Sequence, residues 1–199
     1  MSVSAKEVKA LRDRTGAGML ECKKALEESG GDIEAAIDYL RTRGAAKVAK
    51  RAGRSADQGT VGHYLHHGGR IGVLVELNCE TDFVANTDEF QTLAREIAMH
   101  VAATSPIAVS EENVPPEVVE RERQIYLEQV REEGKPEKIQ EKIVEGKLRK
   151  FFEGSTLLRQ PFVRDPNRTV GELVTELSVK TGEKIEVSRI ARFEVGRSS

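Results

Sequence analysis

Several residue types are scarce in this sequence, and each scarcity excludes a class of protein. The 199 residues include no Trp, and aromatic residues make up 5% of the chain, so we expect no stacking platform for single-stranded nucleic acid or sugars. Two cysteines, Cys22 and Cys79, are too few for a disulfide framework. No apolar run reaches the length of about 18 residues that a membrane span needs, so we expect no membrane partner.

An excess of charge of one sign is also missing. The 31 Lys and Arg residues nearly balance the 33 Asp and Glu residues, which leaves a net charge of −2. A chain that binds nucleic acid along its whole length would be strongly basic, so we expect no direct nucleic-acid binding. The N-terminus lacks the apolar centre of a signal peptide, and we therefore predict a cytoplasmic protein with reduced thiols.

Catalytic motifs are absent from the sequence as well. It contains no phosphate-binding loop, no Gly-x-Ser-x-Gly, no His-Glu-x-x-His and no Cys-x-x-Cys. His63, His66 and His67 lie near Cys79, but zinc needs four converging ligands, and adjacent residues of a strand point to opposite faces. We therefore predict that the protein is not an enzyme and that it has no catalytic residue, metal site or cofactor.

Three short amphipathic helices are predicted in the first 43 residues. Ser4-Ala-Lys-Glu7 is a capping box at the start of the first helix. Thr15-Gly-Ala-Gly18 separates the first two helices; it could hold an anion, although a tight turn accounts for the glycines more simply. Asp32 caps the third helix, which has apolar residues at offsets 0, 3, 4 and 7. Such short helices need a shared core, and the pattern resembles a ubiquitin-associated bundle.

A basic segment follows the three helices. Six basic residues and no acidic one lie between positions 41 and 54. We predict a linker over residues 44–58, with a solvated connector as the simplest interpretation; contact with RNA or with an acidic protein partner is the alternative.

The hydrophobic period changes from 3.6 to 2 after the basic segment. Strands are predicted over Thr60–His66 and Arg70–Glu80, and the second has strict alternation from Ile71 to Cys79. A helix with a wide apolar stripe is predicted from about Thr87 to Ala103.

Mixed charge dominates the segment 117–153, which has 19 charges in 37 residues. Gly134-Lys-Pro136 divides it, so we predict a solvated helical hairpin. Its apolar residues are expected to face inward: Ile125, Val130, Ile139, Ile143, Phe151 and Phe152.

The end of the chain is predicted to return to the sheet. A capping box, Thr169-Val-Gly-Glu172, begins a helix. The last strand covers about Lys184–Val195, and one of its faces is expected to be apolar: Ile185, Val187, Ala191, Phe193 and Val195.

The element order predicts an α+β protein. A three-helix, partner-binding domain is expected over residues 1–43 and an α+β core over residues 59–199. The core would consist of a three-stranded antiparallel sheet with covering helices and the helical hairpin.

Two long motifs give the chain a family resemblance. One is Leu11-Arg-Asp-Arg-Thr-Gly-Ala-Gly-Met-Leu-Glu-Cys-Lys-Lys-Ala-Leu26, and the other is Glu76-Leu-Asn-Cys-Glu-Thr-Asp-Phe-Val-Ala-Asn86. In order and spacing they resemble the two signatures of the translation elongation factor Ts family. The resemblance implies a guanine-nucleotide exchange factor that binds the GTPase domain of elongation factor Tu in its GDP form, displaces the supports of the magnesium site and promotes GDP release.

The chain departs from the longer members of that family. Longer members have a duplicated core and a C-terminal extension, whereas this chain has one strand-rich unit and stops just after Arg192-Phe-Glu-Val-Gly196. It therefore resembles the short form, which suggests a homodimer or a two-plus-two complex. The exposed edge of the last strand is one place where two copies could pair.

The second motif is expected to carry the exchange activity. The resemblance implies that Asp82 and Phe83 enter the partner beside its nucleotide site, while Thr81, Val84 and Asn86 shape an exposed loop. Taken without the resemblance, Phe83 would more simply be a core residue and Asp82 a helix cap.

The first motif is expected to form a second contact with the partner. The resemblance implies contacts through Arg12, Met19 and Lys23, although Met19 also fits the apolar stripe of its helix. Arg51 and His100 occupy positions that resemble partner contacts, but His100 could equally be an ordinary residue on a helix surface.

Two other functions are consistent with parts of the sequence. One is an interaction module of the ubiquitin-associated kind without exchange activity, and the other is an RNA-binding accessory protein of translation.

Overall fold

The computed structural model describes residues 3–197. In this part of the chain, eight α-helices accompany a three-stranded antiparallel sheet in the order β1-β2-β5, so the predicted α+β class is confirmed. The helices are α1 (Ala5–Thr15), α2 (Met19–Glu28), α3 (Ile33–Ala49), α4 (Asp82–Ala85), α5 (Asp88–Thr104), α6 (Pro116–Glu132), α7 (Glu137–Ser155) and α8 (Val170–Thr181). The strands are β1 (Gln58–Leu65), β2 (Ile71–Cys79), β3 (Pro161–Phe162), β4 (Asp165–Thr169) and β5 (Ile185–Glu194).

The chain forms two compact units that are each discontinuous in sequence. The first consists of Met1–Thr60, Leu77–Thr92 and Leu173–Glu186. The second consists of Val61–Glu76, Leu93–Glu172 and Val187–Ser199. The domain boundaries drawn from the sequence remain a prediction.

The first unit contains the N-terminal helices. The capping box at Ser4 is present, and Gly16 ends α1 in the left-handed conformation, at φ 67°. Asp32 caps α3 through the backbone N–H of Ala35 at 2.9 Å. A small shared core holds the three helices together, as their shortness requires: Val8, Leu11, Ala17, Cys22, Ala25, Leu26 and Ala36.

The third helix continues through Ala49 and is therefore longer than its apolar pattern indicates. It packs against α8 at Gly44, where an added Cβ would lie 3.0 Å from a methyl group of Val179. Basic residues of this region are bonded within the same unit. Lys47 pairs with Glu21, and Arg54 pairs with Glu80 at 3.1 Å. The linker over residues 44–58 remains a prediction.

In the sheet, β2 is the central strand and buries Val73, Val75, Leu77 and Cys79, as its alternation indicates.

The last strand, β5, does not keep one apolar face along its whole length, although the sequence predicts one. Ile185 and Val187 are buried, and Ser188 and Arg189 are both exposed. Beyond them Arg192 and Glu194 are less exposed than Phe193 and Val195. This change of parity turns Phe193 and Val195 outward, at 64% and 60% exposure.

The second unit contains the predicted hairpin, formed by α6 and α7. Val130 and Val144 are buried between polar faces, and Arg123 pairs with Glu141 at 2.6 Å. The expectation that every apolar residue faces inward is wrong, since Ile125 and Ile139 are 37% and 43% exposed. In the same unit, β3 and β4 form a small antiparallel ribbon that the sequence analysis missed.

None of the helices within residues 3–197 is both long enough and apolar enough to cross a bilayer.

Candidate partner-binding site

The second sequence motif forms a strand that leads directly into one turn of helix. Cys79 ends β2, and α4 covers Asp82–Ala85, where an exposed loop was expected. Thr81 adopts the extended conformation of an N-cap and accepts a hydrogen bond from the backbone N–H of Val84 at 3.4 Å. Thr81 therefore caps α4. The alternative interpretation had proposed Asp82 as the cap of the following helix, but at the start of α5 it is Thr87 Oγ1 that accepts the backbone N–H of Phe90, at 3.3 Å.

The C-terminal end of α4 is held by three side chains. Asn86 Nδ2 donates to the carbonyl of Asp82 at 2.9 Å, Thr87 Oγ1 donates to the carbonyl of Val84 at 2.8 Å, and Gln91 Nε2 donates to the carbonyl of Ala85 at 2.7 Å. The carbonyls of Asp82 and Val84 also accept the backbone N–H groups of Asn86 and Thr87, each at 3.0 Å, so two of the side-chain bonds reinforce backbone bonds, and Gln91 supplies a partner for the carbonyl of Ala85. The turn is consequently braced although it is only four residues long.

The N-terminal end of α4 is bonded to a distant part of the chain. Glu183 Oε2 accepts the backbone N–H groups of Glu80 and Thr81, each at 3.1 Å, and its Oε1 accepts the Thr81 hydroxyl at 2.7 Å. Glu80 Oε1 in turn accepts the backbone N–H of Lys184 at 2.6 Å. This bond, with a smaller contribution from Arg54, lowers the pKa of the Glu80 carboxyl group below its usual value.

The braced turn presents Phe83 to solvent. Its side chain is 83% exposed, whereas Ala85 on the same turn is buried. The alternative interpretation of Phe83 as a core residue is therefore wrong. Asp82 is also exposed, so a carboxylate and an aromatic ring stand side by side on the surface of the first unit.

Cys79 lies beneath this turn. Its thiol is fully buried and donates to the carbonyl of Thr81 at 3.1 Å. Burial, assisted by the negative charge of Glu183, raises the pKa of the thiol to about 11. Cys79 is thus an uncharged structural residue. Within residues 3–197, no group of three or more His, Cys, Asp or Glu side chains could hold a metal ion.

The first motif leaves apolar side chains exposed at the start of α2. Met19 is 44% exposed and Leu20 is 83% exposed, so Met19 is not a core residue of the bundle. Arg12 is exposed, and Lys23 lies 3.8 Å from Glu27. The sequence analysis missed Leu20, although its offset of one from Met19 on the helix points it away from the buried stripe.

Arg51 and His100 occupy different environments. Arg51 Nη1 donates to the carbonyl of Ser178 at 2.8 Å, so this residue ties the end of the basic segment to α8. His100 is completely buried, which contradicts its interpretation as a surface residue. Its Nε2 lies 2.9 Å from Gln160 Oε1, and its Nδ1 accepts the backbone N–H of Val163 at 3.3 Å. A side chain without accessible surface does not touch a partner in this conformation, so His100 is removed from the candidate contacts.

An exposed apolar face covers part of the sheet in the second unit. Glu76 on β2 pairs with Arg189 on β5, and a Cβ at Gly72 would lie 3.7 Å from Leu65 on β1. These contacts place one face of all three strands together, and the apolar residues of that face are exposed by between 47% and 68%: Val61, Leu65, Leu74, Phe193 and Val195. Several exposed apolar side chains on one face of a sheet are typical of an interaction surface.

Comparison with known proteins identifies relatives along nearly the entire chain. A family model described as "Elongation factor TS" matches residues 15–197. A protein of Thermosipho melanesiensis named "Elongation factor Ts" is 58% identical over 194 residues, which cover 98% of this chain and 99% of that protein. Proteins of the same name are 53% identical in Syntrophobacter fumaroxidans, over 98% of both chains, and 55% identical in Moorella thermoacetica, over 98% of this chain and 96% of that one.

Proposed function

Because the chain belongs to the elongation factor Ts family and is thus a translation elongation factor, we propose that it acts as a guanine-nucleotide exchange factor in the cytoplasm. Its partner is the GTPase domain of elongation factor Tu in the GDP-bound form. It catalyses no covalent reaction itself and uses no cofactor of its own.

The observation that carries this proposal is the exposure of Phe83 on a turn braced at both ends. A large apolar side chain held in water at 83% exposure favours burial against another molecule, and full burial of such a ring contributes roughly 1.5–3 kcal/mol. Since the turn is already formed, little conformational entropy is lost on binding. The neighbouring Asp82 brings a negative charge to the same place.

Exchange then follows from linkage between two ligands. A factor that binds the nucleotide-free GTPase more tightly than the GDP-bound form must weaken GDP binding by the same ratio. Magnesium and the phosphates hold the switch segments of a GTPase together. We propose that Phe83 and Asp82, with Thr81, Val84 and Asn86 fixing their geometry, displace the supports of that magnesium site so that GDP leaves faster.

A second contact through the N-terminal helices would hold the two proteins together during this displacement. Met19 and Leu20 supply exposed apolar surface, and Arg12 and Lys23 supply positive charge that suits carboxylates of a partner. Arg51 is partly exposed to solvent, and we propose it only as a minor contact with the partner.

We also propose that two copies of the chain associate through the apolar sheet face of the second unit. The exposed apolar side chains of this face favour burial against a surface of the same kind, and a second copy would supply such a surface. The outward position of Phe193 and Val195 supports face-to-face packing of two sheets in preference to pairing along the edge of β5.

The release of a fluorescent GDP analogue from purified elongation factor Tu, measured by stopped flow, tests the proposed exchange. The wild-type protein is expected to accelerate release, and Phe83→Ala is expected to lower the acceleration at least about 30-fold, as for a buried aromatic anchor. Ile139→Ala, which truncates an exposed apolar side chain on α7, is the matched control.

The same assay separates the exchange factor from the alternatives. If the wild-type protein leaves the rate of GDP release unchanged, a binding module without exchange activity is favoured. Tight, salt-sensitive RNA binding would instead favour an RNA-binding accessory protein.

A further inference from the structure

Glu183 connects two parts of the first unit that lie about a hundred residues apart in sequence. It follows α8 and precedes β5, yet its carboxylate accepts all three hydrogen bonds donated by the backbone of Glu80 and by the backbone and hydroxyl of Thr81. The carboxylate of Glu80 returns a bond to the backbone of Lys184. Two carboxylates therefore join the end of β2 to the start of β5: that of Glu183 accepts from the first segment, and that of Glu80 accepts from the second.

The position of Glu183 is itself fixed by its neighbours. Gly182 takes the left-handed conformation, at φ 78°, which suits a residue without a Cβ. Ser178 Oγ donates to the carbonyl of Glu183 at 2.5 Å, and Thr181 Oγ1 accepts the backbone N–H of Glu183 at 3.4 Å. The backbone of Glu183 is thus held in place by the end of α8, and its carboxylate reaches Thr81 from this fixed position.

We propose that Glu183 is a positioning residue for exchange, acting on Phe83 through Thr81; this inference rests on the exchange function proposed above. The Thr81 hydroxyl has one hydrogen, and it is donated to Glu183. The oxygen is then oriented to accept the backbone N–H of Val84, which begins the turn that holds Phe83. A four-residue helix is not stable by itself, so the acceptor that orients its cap determines how long Phe83 stays in place.

Substitutions at position 183 distinguish positioning from a general effect on folding. Glu183→Ala removes every acceptor and is expected to lower the acceleration of GDP release about tenfold, as loss of bonds to a charged group does. Glu183→Gln keeps an oxygen for the two backbone N–H groups but presents an NH2 donor where the Thr81 hydroxyl needs an acceptor, so it is expected to lower the acceleration by between about threefold and about tenfold. Glu186→Ala, three residues further on, removes only a partner of Lys184 and is the matched control.

Two measurements test the inference. Hydrogen exchange of the Thr81 and Val84 amides in the free protein is expected to speed up about tenfold in Glu183→Ala, while amides in the middle of α5 keep their rates. In the GDP-release assay, Glu183→Ala is expected to have no further effect when Phe83 is already Ala, because coupled residues are not additive. Thr81→Val removes the acceptor of the Val84 amide and is expected to speed up exchange of that amide and to lower the acceleration of GDP release as Glu183→Ala does. It carries both measurements if Glu183→Ala does not fold.

The outcomes separate this inference from the proposed function. Unchanged amide protection in Glu183→Ala, or an undiminished effect of Glu183→Ala in the Phe83→Ala background, would overturn the positioning role. If the wild-type protein does not accelerate GDP release, the exchange function fails and the positioning role in exchange fails with it. The amide rates still decide independently whether Glu183 holds the turn.

Discussion

His100 and Gln160 form a hydrogen bond in the interior of the second unit, with 2.9 Å between Nε2 and Oε1. The ring of Phe162 lies 5.9 Å from that of His100, and the backbone N–H of Val163 donates to Nδ1. Because Nδ1 accepts, Nε2 carries the hydrogen and donates to Gln160. The bonds therefore fit a neutral imidazole in one tautomer.

This arrangement predicts a loss of stability in mild acid. Burial lowers the pKa of His100 below its ordinary value of 6.5. The unfolded chain therefore takes up a proton before the folded chain does, and the free energy of unfolding falls as the pH drops below about 6.5, by at most about 1.4 kcal/mol per pH unit for one group. Urea unfolding at pH 7 and pH 5 measures this change.

Variants assign the pH dependence to His100. His100→Gln is expected to be less stable at pH 7 but to show a weaker dependence between pH 7 and pH 5. His66→Gln, at an exposed position, is expected to keep the wild-type dependence. An equal dependence in wild type and His100→Gln would contradict the assignment.

A second prediction concerns Gly62 on β1. A Cβ at this position would lie 2.5 Å from the carbonyl oxygen of Ala94 on α5, closer than van der Waals contact permits. Gly62→Ala is therefore expected to lower the free energy of unfolding by about 1–3 kcal/mol, as overpacking does. Gly146→Ala is the control, because nothing lies within 4 Å of the added atom, and its expected effect is neutral or stabilising. Thermal unfolding of both variants measures the difference.

A third prediction concerns the reactivity of Cys79. A buried thiol with a pKa of about 11 has almost no thiolate at pH 8, so the folded protein is expected to react with iodoacetamide at this position at least about a hundredfold more slowly than the unfolded chain. Peptide mapping by mass spectrometry resolves Cys79 from Cys22. Rapid labelling of Cys79 in the folded protein would show that the end of β2 opens readily.

The fourth prediction addresses the N-terminal helices. Met19→Ala with Leu20→Ala removes exposed apolar surface that the bundle does not use, so the thermal stability is expected to change little. The affinity for nucleotide-free elongation factor Tu, measured by calorimetry, is expected to fall about 10- to 100-fold. Glu28→Ala, at an exposed position at the other end of α2, is the control. An unchanged affinity would remove this region from the proposed interface.

The fifth prediction addresses association of two copies. The double substitution Leu74→Asp and Phe193→Asp places charge on the exposed apolar face of the sheet and leaves the residues on its buried face unchanged. If two copies pack through this face, sedimentation equilibrium is expected to show a dimer for the wild type and a monomer for the double variant. Ile139→Asp provides the control for an added charge at another exposed apolar site. A dimer that survives the double substitution would place the contact elsewhere.

Much of the fold could be predicted from hydrophobic periodicity and capping residues. The alternation of β2, the apolar stripe of α5 and the caps Ser4 and Asp32 depend on neighbours in sequence, and the structure confirms each of them. The parity change in β5 could not be predicted, because it depends on how Ser188 and Arg189 meet the neighbouring strand. The buried position of His100 depends on Gln160, sixty residues away.

The architecture of the candidate site could not be predicted from its motif. The motif marks the segment around Phe83, whereas Glu183 bonds to Thr81 from about a hundred residues away, and no local pattern connects the two residues. Leu20 was overlooked for a related reason: the periodicity of α2 identifies the residues that it buries and gives no weight to an exposed leucine.

The bond between Glu183 and Thr81 also sets an order of events during synthesis. A ribosome that has completed β2 and α4 has yet to make the acceptor that holds them, and about a hundred more residues must be added first. A chain that stops before residue 183 would therefore contain the whole second motif without its brace. If Glu183 positions Phe83 as we propose, the segment around residue 183, which is made after the motif, determines when the new chain becomes able to promote GDP release.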